Sequence, residues 1–277
     1  MTTTTERPAR TDAPAVRRRT TKERLSASAV PARVARRRQV TPSVVRVTLV
    51  GEDLRSMSVL GDDQYFRLLL PRPGQARLRL PVTERWWPEI TAMPEDERPV
   101  LRNYTVRAAR PDVGELDVDV VAHGGTGPGS RWALTAEPGD EVGVIVQDTC
   151  FTPPPGTTHV LLVADATAVP AVAGVLASLP DGVTATVLAE VPTHEDAPDL
   201  PRRDGADVRW RAQEPGRSLL EDLRSTALPA GGVYAWVAGE AATATGVRRH
   251  LVRERGLRKE DVYFCGYWRA DAPAYAD

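Results

Sequence analysis

The sequence predicts a two-domain protein, in which a six-stranded antiparallel β-barrel is followed by a parallel, doubly wound α/β sheet. Three features indicate this architecture: short strand-like segments up to residue 151, a regular alternation of strands and helices after residue 157, and the proline-rich TPPPGT (152–157) between them. Short strands in series are typical of barrels, and strand–helix alternation is typical of parallel sheets. Since 277 residues suffice for two domains of ordinary size, we expect domains at 30–151 and 157–277.

The first half contains six segments with the composition of β-strands, which are 32–38, 44–50, 64–70, 101–108, 115–122 and 141–147. Within the fifth segment, LDVDV (116–120) alternates between apolar and acidic residues, so one face is expected to be buried and the other solvated. A short helix is expected at 130–136. Residues 71–99 contain several prolines and an acidic run, which predicts a long loop with room for one helical turn.

The second half alternates between strands and helices. We expect strands at 159–164, 183–190, 208–211, 233–238 and 262–266, and helices at 169–179, 218–225 and 241–255. The first of these strands, HVLLVA, is apolar at almost every position, as expected when both faces of a parallel sheet are covered. This pattern predicts a doubly wound parallel sheet.

The composition excludes several classes of protein. No apolar run approaches the ~20 residues of a membrane-spanning helix, and the N-terminus lacks the apolar core of a secretory signal. The two cysteines, Cys150 and Cys265, are too few and too far apart for a four-cysteine iron–sulfur cluster or a disulfide framework. We therefore expect a cytoplasmic protein without membrane insertion, and we expect a monomer.

The charge is distributed unevenly along the chain. Residues 1–38 contain eleven Lys or Arg and three acids, whereas the remaining residues contain 25 bases and 34 acids. We expect residues 1–29 to form a disordered, solubilising basic tail; an organellar transit peptide is an alternative, although its prolines oppose an amphipathic helix. A basic arm can also contact nucleic acid or anionic lipid. Because this arm lacks aromatic residues to stack on bases, no nucleic-acid partner is expected.

The strongest candidate for a binding site is LRNYTV (101–106). Arg102 and Tyr104 are two positions apart and therefore share one face of a strand. A guanidinium group binds pyrophosphate through paired hydrogen bonds, a phenol ring packs on a flavin, and the hydroxyl of Thr105 can donate to a flavin ring nitrogen. This combination favours a flavin nucleotide, and the alternative is a half-exposed strand whose Arg and Tyr bind nothing.

A glycine-rich turn, HGGTGPGSRW (123–132), lies between a predicted strand and a predicted helix. Glycines allow the backbone to approach a phosphate closely, and the free N–H groups at a helix start attract anions. Ser130 is expected to cap the helix or to bind a phosphate directly. A plain turn with a serine cap is the alternative, but the position after the RNYT strand favours a phosphate site.

Five segments together resemble the siderophore-interacting proteins, which are ferric-siderophore reductases of the ferredoxin–NADP reductase superfamily. In order, they are LRNYTVR, DVDVVAHGGTGPGSRWALTAEPGDEV, ADATAVPAVAGVL, VYAWVAGEA and VYFCGYWR. The resemblance implies an FAD-binding β-barrel and an NAD(P)H-binding-like α/β domain. It also implies a function, in which electrons pass from NADH, NADPH or ferredoxin through the flavin to Fe(III), and Fe(II) leaves the siderophore.

The resemblance implies roles for individual residues as well. The FAD-binding residues that it implies are Arg102, Asn103, Tyr104, Thr105, Val121, Ala122, His123, Gly127, Gly129, Ser130, Asp165 and Thr167. Gly127, Gly129 and Ser130 would cradle the pyrophosphate, and Asp165 and Thr167 would lie near the flavin or nicotinamide. The family binds anionic siderophores with a basic cluster, for which the matching candidates are Arg67, Arg131 and Arg269. For each arginine, a solvated surface charge is the alternative.

Two positions depart from the family pattern. Ala166 replaces the acid that usually follows the aspartate, and Asp271 stands where a glycine usually follows GYWR. These changes leave the choice of electron donor open. Trp268 is expected either to cover the flavin or to pack in the core.

No metal site is expected, because the sequence contains no HExxH and no close set of His and acidic residues. Ser130 is not a hydrolase nucleophile, because no GxSxG is present. Two other functions stay open: a generic NAD(P)H-dependent flavin or ferredoxin reductase, and a non-catalytic flavin- or siderophore-binding protein. Turnover of a ferric chelate separates the proposed reductase from the first, and a flavin-free preparation would favour the second.

Overall fold

The computed structural model describes residues 28–75, 77–122 and 127–271. Within these ranges the strands form two sheets, an antiparallel sheet in the first half and a parallel sheet in the second. We call them the barrel sheet and the parallel sheet. This arrangement confirms the fold class that the sequence predicts.

The barrel sheet is formed by segments rich in Val and Leu, whose alternate side chains point into a shared core. Its strands are β1 (Val30–Thr41), β2 (Val44–Val50), β3 (Tyr65–Leu70), β4 (Val100–Thr105), β5 (Ala108–Arg110), β6 (Glu115–Val121) and β7 (Glu141–Val146). Their order in the sheet is β4-β3-β7-β1-β2-β6-β5, with antiparallel neighbours. Along the chain, helix α1 (Trp86–Ala92) follows β3 and precedes β4, and helix α2 (Pro128–Thr135) follows β6 and precedes β7.

The described residues give this sheet seven strands, so the expected number of six is wrong. The predicted strand at 101–108 divides into β4 and β5 because its hydrogen-bond partner changes. The amide of Val106 still bonds the carbonyl of Gln64, beside β3, whereas the amide of Arg107 bonds the carbonyl of Asp117 in β6. The chain therefore turns a corner of the barrel between residues 106 and 107, where the composition shows no break.

The parallel sheet is covered by helices on both faces. Its strands are β8 (His159–Asp165), β9 (Thr184–Val191), β10 (Ala206–Ala212), β11 (Val233–Glu240) and β12 (Val262–Trp268), in the order β10-β9-β8-β11-β12. Its helices are α3 (Val169–Ser178), α4 (Leu219–Ser225) and α5 (Ala241–Arg253). Along β8, Leu162 packs in the core that contains α3, and Leu161 packs in the core that contains α4 and α5. The near-continuous apolar character of β8 follows from this double coverage.

Two buried carboxylates connect the sheets. Asp63, which precedes β3, accepts hydrogen bonds from the Trp236 indole of β11 at 2.8 Å and from the Phe151 amide of the connecting segment at 2.8 Å. Asp196, which follows β9, accepts from the Ser43 amide at 2.7 Å and from the Thr41 hydroxyl at 3.0 Å. These contacts hold the barrel sheet against the parallel sheet.

Across the described ranges, no helix has the length and apolarity required to cross a membrane. Most of the expected basic tail, residues 1–27, lies outside the described residues.

Candidate functional site

Two cavities with shared lining lie between the barrel sheet and the carboxyl edge of the parallel sheet. The smaller has about 360 Å³ and the larger about 970 Å³. Both are lined by Arg67, Arg102, Asn103, Val121, Thr167, Tyr267 and Trp268. Ligands of open α/β sheets bind at the carboxyl ends of strands where the strand order reverses, and this reversal falls between β8 and β11. The shared lining is therefore the candidate site.

Strand β4 and helix α2 meet closely beside these cavities. A Cβ atom at Gly129 would collide with the Tyr104 hydroxyl and lie 3.9 Å from Cγ of Arg102, so this approach requires a glycine. Burial raises the pKa of Tyr104 to about 12, although the charge of Arg102 acts in the opposite direction. The phenol is therefore protonated at neutral pH and remains a hydrogen-bond donor.

The N-terminus of α2 supplies donors for an anion. Gly127 is the N-cap residue, so the alternative in which Ser130 caps the helix is wrong. The Ser130 Oγ is buried and has no hydrogen-bond partner among the described residues, and both residues line the larger cavity. The first-turn amides have no partners within the helix, and the Ser130 hydroxyl has none among the described residues. The oxygens of a pyrophosphate group could accept hydrogen bonds from all of them.

The other expected cofactor residues of the barrel sheet differ in position. Thr105 is buried at the end of β4 and lines the smaller cavity, as does Tyr267 of β12. Val121 lines both cavities. Ala122 packs in the core of the barrel sheet, outside the described lining of either cavity. His123 lies outside the described residues.

Asp165 is a buried support for the carboxyl edge of the parallel sheet. Its carboxylate accepts hydrogen bonds from the Thr167 amide at 2.9 Å, the Glu240 amide at 2.7 Å and the Trp268 indole at 2.8 Å. At Gly239, whose φ is 145°, a Cβ would lie 2.5 Å from the same carboxylate. Asp165 thus holds Trp268 and the start of α5 in place, while Thr167 reaches both cavities.

The three expected substrate arginines do not form one cluster. Arg67 lines both cavities, hydrogen-bonds the Asn103 amide oxygen at 3.1 Å, and stacks over the Trp86 ring at 4.6 Å. Arg269 lines the larger cavity. Arg131 is exposed on α2 and lies outside the described lining of both cavities. One residue after Ser130, it is turned by about 100° around the helix and therefore faces elsewhere.

Alternate residues of β12, Tyr263, Cys265 and Tyr267, line the smaller cavity. Burial raises the pKa of Tyr263, and Cys150 lines the same cavity. None of these residues is among those expected from the sequence. The signal was the YxCxY spacing at the end of the chain, since period-two spacing places the three side chains on one face of a strand.

Comparison with known proteins agrees with this geometry. The family model of the siderophore-interacting FAD-binding domain matches residues 33–147, and that of the siderophore-interacting protein matches residues 157–271. Ferric vibriobactin reductase ViuB from Vibrio cholerae is 30% identical over 245 residues, which cover 84% of this chain and 87% of ViuB.

Two solved structures share the complete architecture. The siderophore-interacting protein SipS from Aeromonas hydrophila has a TM-score of 0.76 at 29% identity, with coverage of 89% of this chain and 93% of SipS. A siderophore utilization protein from T. fusca has a TM-score of 0.73 at 31% identity, with coverage of 90% and 95%. Because both halves match the family models and the similarity spans most of each relative, this chain belongs to the siderophore-interacting protein family.

Proposed function

We propose that this chain is an FAD-dependent ferric-siderophore reductase, which transfers electrons from NAD(P)H or a ferredoxin to Fe(III) in an anionic chelate. The observation that supports this most directly is the meeting of Arg102, Tyr104 and the first turn of α2 beside cavities at the carboxyl edge of the parallel sheet. Membership of a family that contains an FAD-binding domain and a ferric vibriobactin reductase supports the same function.

The residues around the cavities fit FAD. Arg102, Gly127, Gly129 and Ser130 would bind its pyrophosphate, because they present a guanidinium group, free amides and an unpaired hydroxyl. The flavin would be contacted by Tyr104, Thr105, Val121, Asn103 and Thr167, which line the smaller cavity. His123 completes the proposed set of FAD-binding residues. Ala122 and Asp165 would support the side chains that contact FAD without lining the smaller cavity themselves.

When bound, FAD supplies the redox chemistry, since a flavin exchanges electrons in pairs with a nicotinamide and singly with iron. The residues of the chain position and shield it. Trp268, fixed by its hydrogen bond to Asp165, lines both cavities with a large apolar ring that would shield a bound flavin from water. The neutral phenol of Tyr104 offers a hydrogen bond without adding negative charge beside the phosphates.

The ferric chelate is the substrate. Arg67 and Arg269 line the larger cavity and provide positive charge that attracts an anionic chelate. Hard oxygen ligands hold Fe(II) less tightly than Fe(III), so reduction by one electron releases the metal. This chemistry requires no nucleophile or general acid from the protein.

Several finer assignments belong to the same proposal. The domains would extend over 30–151 and 157–277, which the family matches at 33–147 and 157–271 support. The protein would act as a cytoplasmic monomer, with ferredoxin as the alternative electron donor. Arg131 would contribute to the positive field at the surface rather than to the lining of the site.

The test is the production of Fe(II) by the purified, FAD-loaded protein. A ferric chelate and NADH, NADPH or reduced ferredoxin are supplied anaerobically, and Fe(II) is trapped by a coloured ferrous chelator. We expect a donor-dependent rate well above that of free FAD at the same concentration. A rate equal to that of free FAD with every donor would contradict the proposal and favour a binding protein.

A further inference from the structure

The long segment between β3 and β4 contains two adjacent tryptophans, Trp86 and Trp87, of which Trp87 lines the larger cavity. Trp86 lies under the guanidinium group of Arg67, and Trp87 meets the Trp86 ring edge-on, with 5.7 Å between ring centroids. Trp87 lines the larger cavity, as does Arg67, and is 50% exposed. An exposed indole and a guanidinium group, joined through the Trp86 ring, therefore line the space in which the substrate is proposed to bind.

The position of Trp87 is fixed by the packing of α1. Ile90 and Met93 are buried on the outer face of the barrel sheet, against Leu69 of β3 and Ile145 of β7, and Trp86 packs at the edge of this cluster. In the middle of α1, the carboxylate of Glu89 accepts hydrogen bonds from the amides of Val82 and Thr83 at 2.9 and 3.1 Å. With α1 anchored on one face, Trp87 is held toward the cavity rather than free to collapse on the surface.

The chemistry of this wall fits an aromatic anion. A flat ring packs against an indole, while negatively charged ring oxygens are attracted to a neighbouring guanidinium group. The Nε of Arg67 is buried without a hydrogen-bond partner among the described residues, so this cation is not neutralised by an ion pair of its own in that part of the chain. A hydroxamate chelate presents oxygens but no aromatic ring, and gains less from Trp87.

We propose that Trp87 and Arg67 form an aryl subsite, which favours iron chelates with catecholate or phenolate rings over chelates with hydroxamate ligands. The proposal rests on the proposed function, because it concerns the substrate of the same site. In this proposal, α1 takes part in substrate binding, and the side chains of Trp87 and Arg67 discriminate between the two classes of chelate.

The test measures binding of redox-inert Ga(III) chelates to the oxidised, FAD-loaded protein, so that it does not depend on turnover. The probes are the Ga(III) complexes of a bis-catecholamide and of desferrioxamine B. We expect Trp87→Ala to raise the Kd of the catecholamide complex by roughly tenfold, the upper range for an aromatic contact, and to change that of the hydroxamate complex less than about twofold. Trp87→Phe keeps a ring and is expected to retain most of the affinity.

Phe264→Ala is the matched control. Phe264, like Trp87, is an exposed ring close to an arginine side chain, which here is Arg248 at 4.7 Å, but Phe264 lies outside the described lining of both cavities. Its removal is expected to leave both Kd values unchanged.

Three results would overturn the inference. The first is an equal loss of affinity for both chelates in Trp87→Ala, and the second is no loss of affinity for either. The third is loss of bound FAD, which would assign Trp87 to the cofactor. If the wild-type protein produces no Fe(II) from any chelate, the proposed function fails instead, so the two failures are distinguishable.

Discussion

Gly129 and Gly239 permit close backbone approaches on which the site depends. At Gly129, the first turn of α2 reaches the Tyr104 hydroxyl, and at Gly239 the end of β11 reaches the Asp165 carboxylate. A methyl group at either position would separate these elements. The geometry of the candidate site therefore depends on these two glycines as well as on the side chains that line the cavities.

Replacing Gly129 with Ala tests this at one residue. The added methyl group would collide with the Tyr104 hydroxyl, so we expect weaker FAD binding and a loss of about 1–3 kcal/mol in the free energy of unfolding. Tyr104→Phe in the same chain removes the colliding oxygen and should recover part of that stability, as measured by denaturant unfolding. Gly127→Ala is the control for the free energy of unfolding, because a Cβ there meets no described atom within 4 Å. Equal losses of unfolding free energy at 127 and 129 would contradict the role of the close contact.

Arg102→Ala tests the proposed phosphate contact. A hydrogen bond to a charged group contributes roughly 1.5–3 kcal/mol, so the Kd for FAD should rise at least tenfold, as measured by flavin fluorescence during titration of the apoprotein. Arg131→Ala removes an equal charge from α2 outside the described lining and should change the Kd little. Unchanged FAD affinity in Arg102→Ala would count against the assignment.

At the scale of elements, strand ends place the functional side chains. Strand β4 brings Arg102 and Tyr104 to the cavity, α2 brings its free amides, and β12 contributes one polar face. Helix α1, a single short element in a proline-rich segment, brings Trp87 to the same space. Each element contributes from its end or from one face, as expected when rigid secondary structure supports a site.

The sequence predicted elements well where composition and period mark them. The apolar run of β8 and the alternation of β6 identified those strands to within a residue or two. The division of β4 from β5 was missed, because a change of hydrogen-bond partner at residues 106–107 leaves no trace in composition. The sequence could suggest Arg131 as a candidate but could not show that it lies outside the described lining of both cavities, because this depends on how α2 packs against the barrel sheet.

At the scale of the whole molecule, the orientation of the two sheets determines the site. The cavities lie between them, so their shape depends on the buried carboxylates of Asp63 and Asp196. Asp196 is 2% exposed. Burial acts to raise its pKa, but hydrogen bonds from Ser43, Thr193 and Thr41 outweigh this effect, and the pKa is lowered.

This lowered pKa gives stability a pH dependence with a definite sign. A carboxyl group whose pKa is lower in the folded than in the unfolded state stabilises the folded protein. This stabilisation is complete at pH values above the unfolded-state pKa of about 3.9, and it is lost as the pH falls through the folded-state pKa. Asp196→Asn should therefore cost about 1–3 kcal/mol at neutral pH and flatten the acid limb of the stability curve, as measured by denaturant unfolding. Asp204→Asn, at an exposed position, is the control and should change neither the free energy of unfolding at neutral pH nor the acid limb of the stability curve. An unchanged acid limb in Asp196→Asn would contradict the role of this contact.

The most direct test of the central claim is the visible absorption spectrum of the purified protein under anaerobic conditions. The proposed function predicts flavin bands that bleach with NADH, NADPH or reduced ferredoxin, and that return when a ferric siderophore is added, with Fe(II) formed in proportion. Bands that bleach but do not return with any ferric chelate would indicate a flavin reductase with another acceptor. The absence of flavin bands, even after FAD is added, would contradict the account of the site.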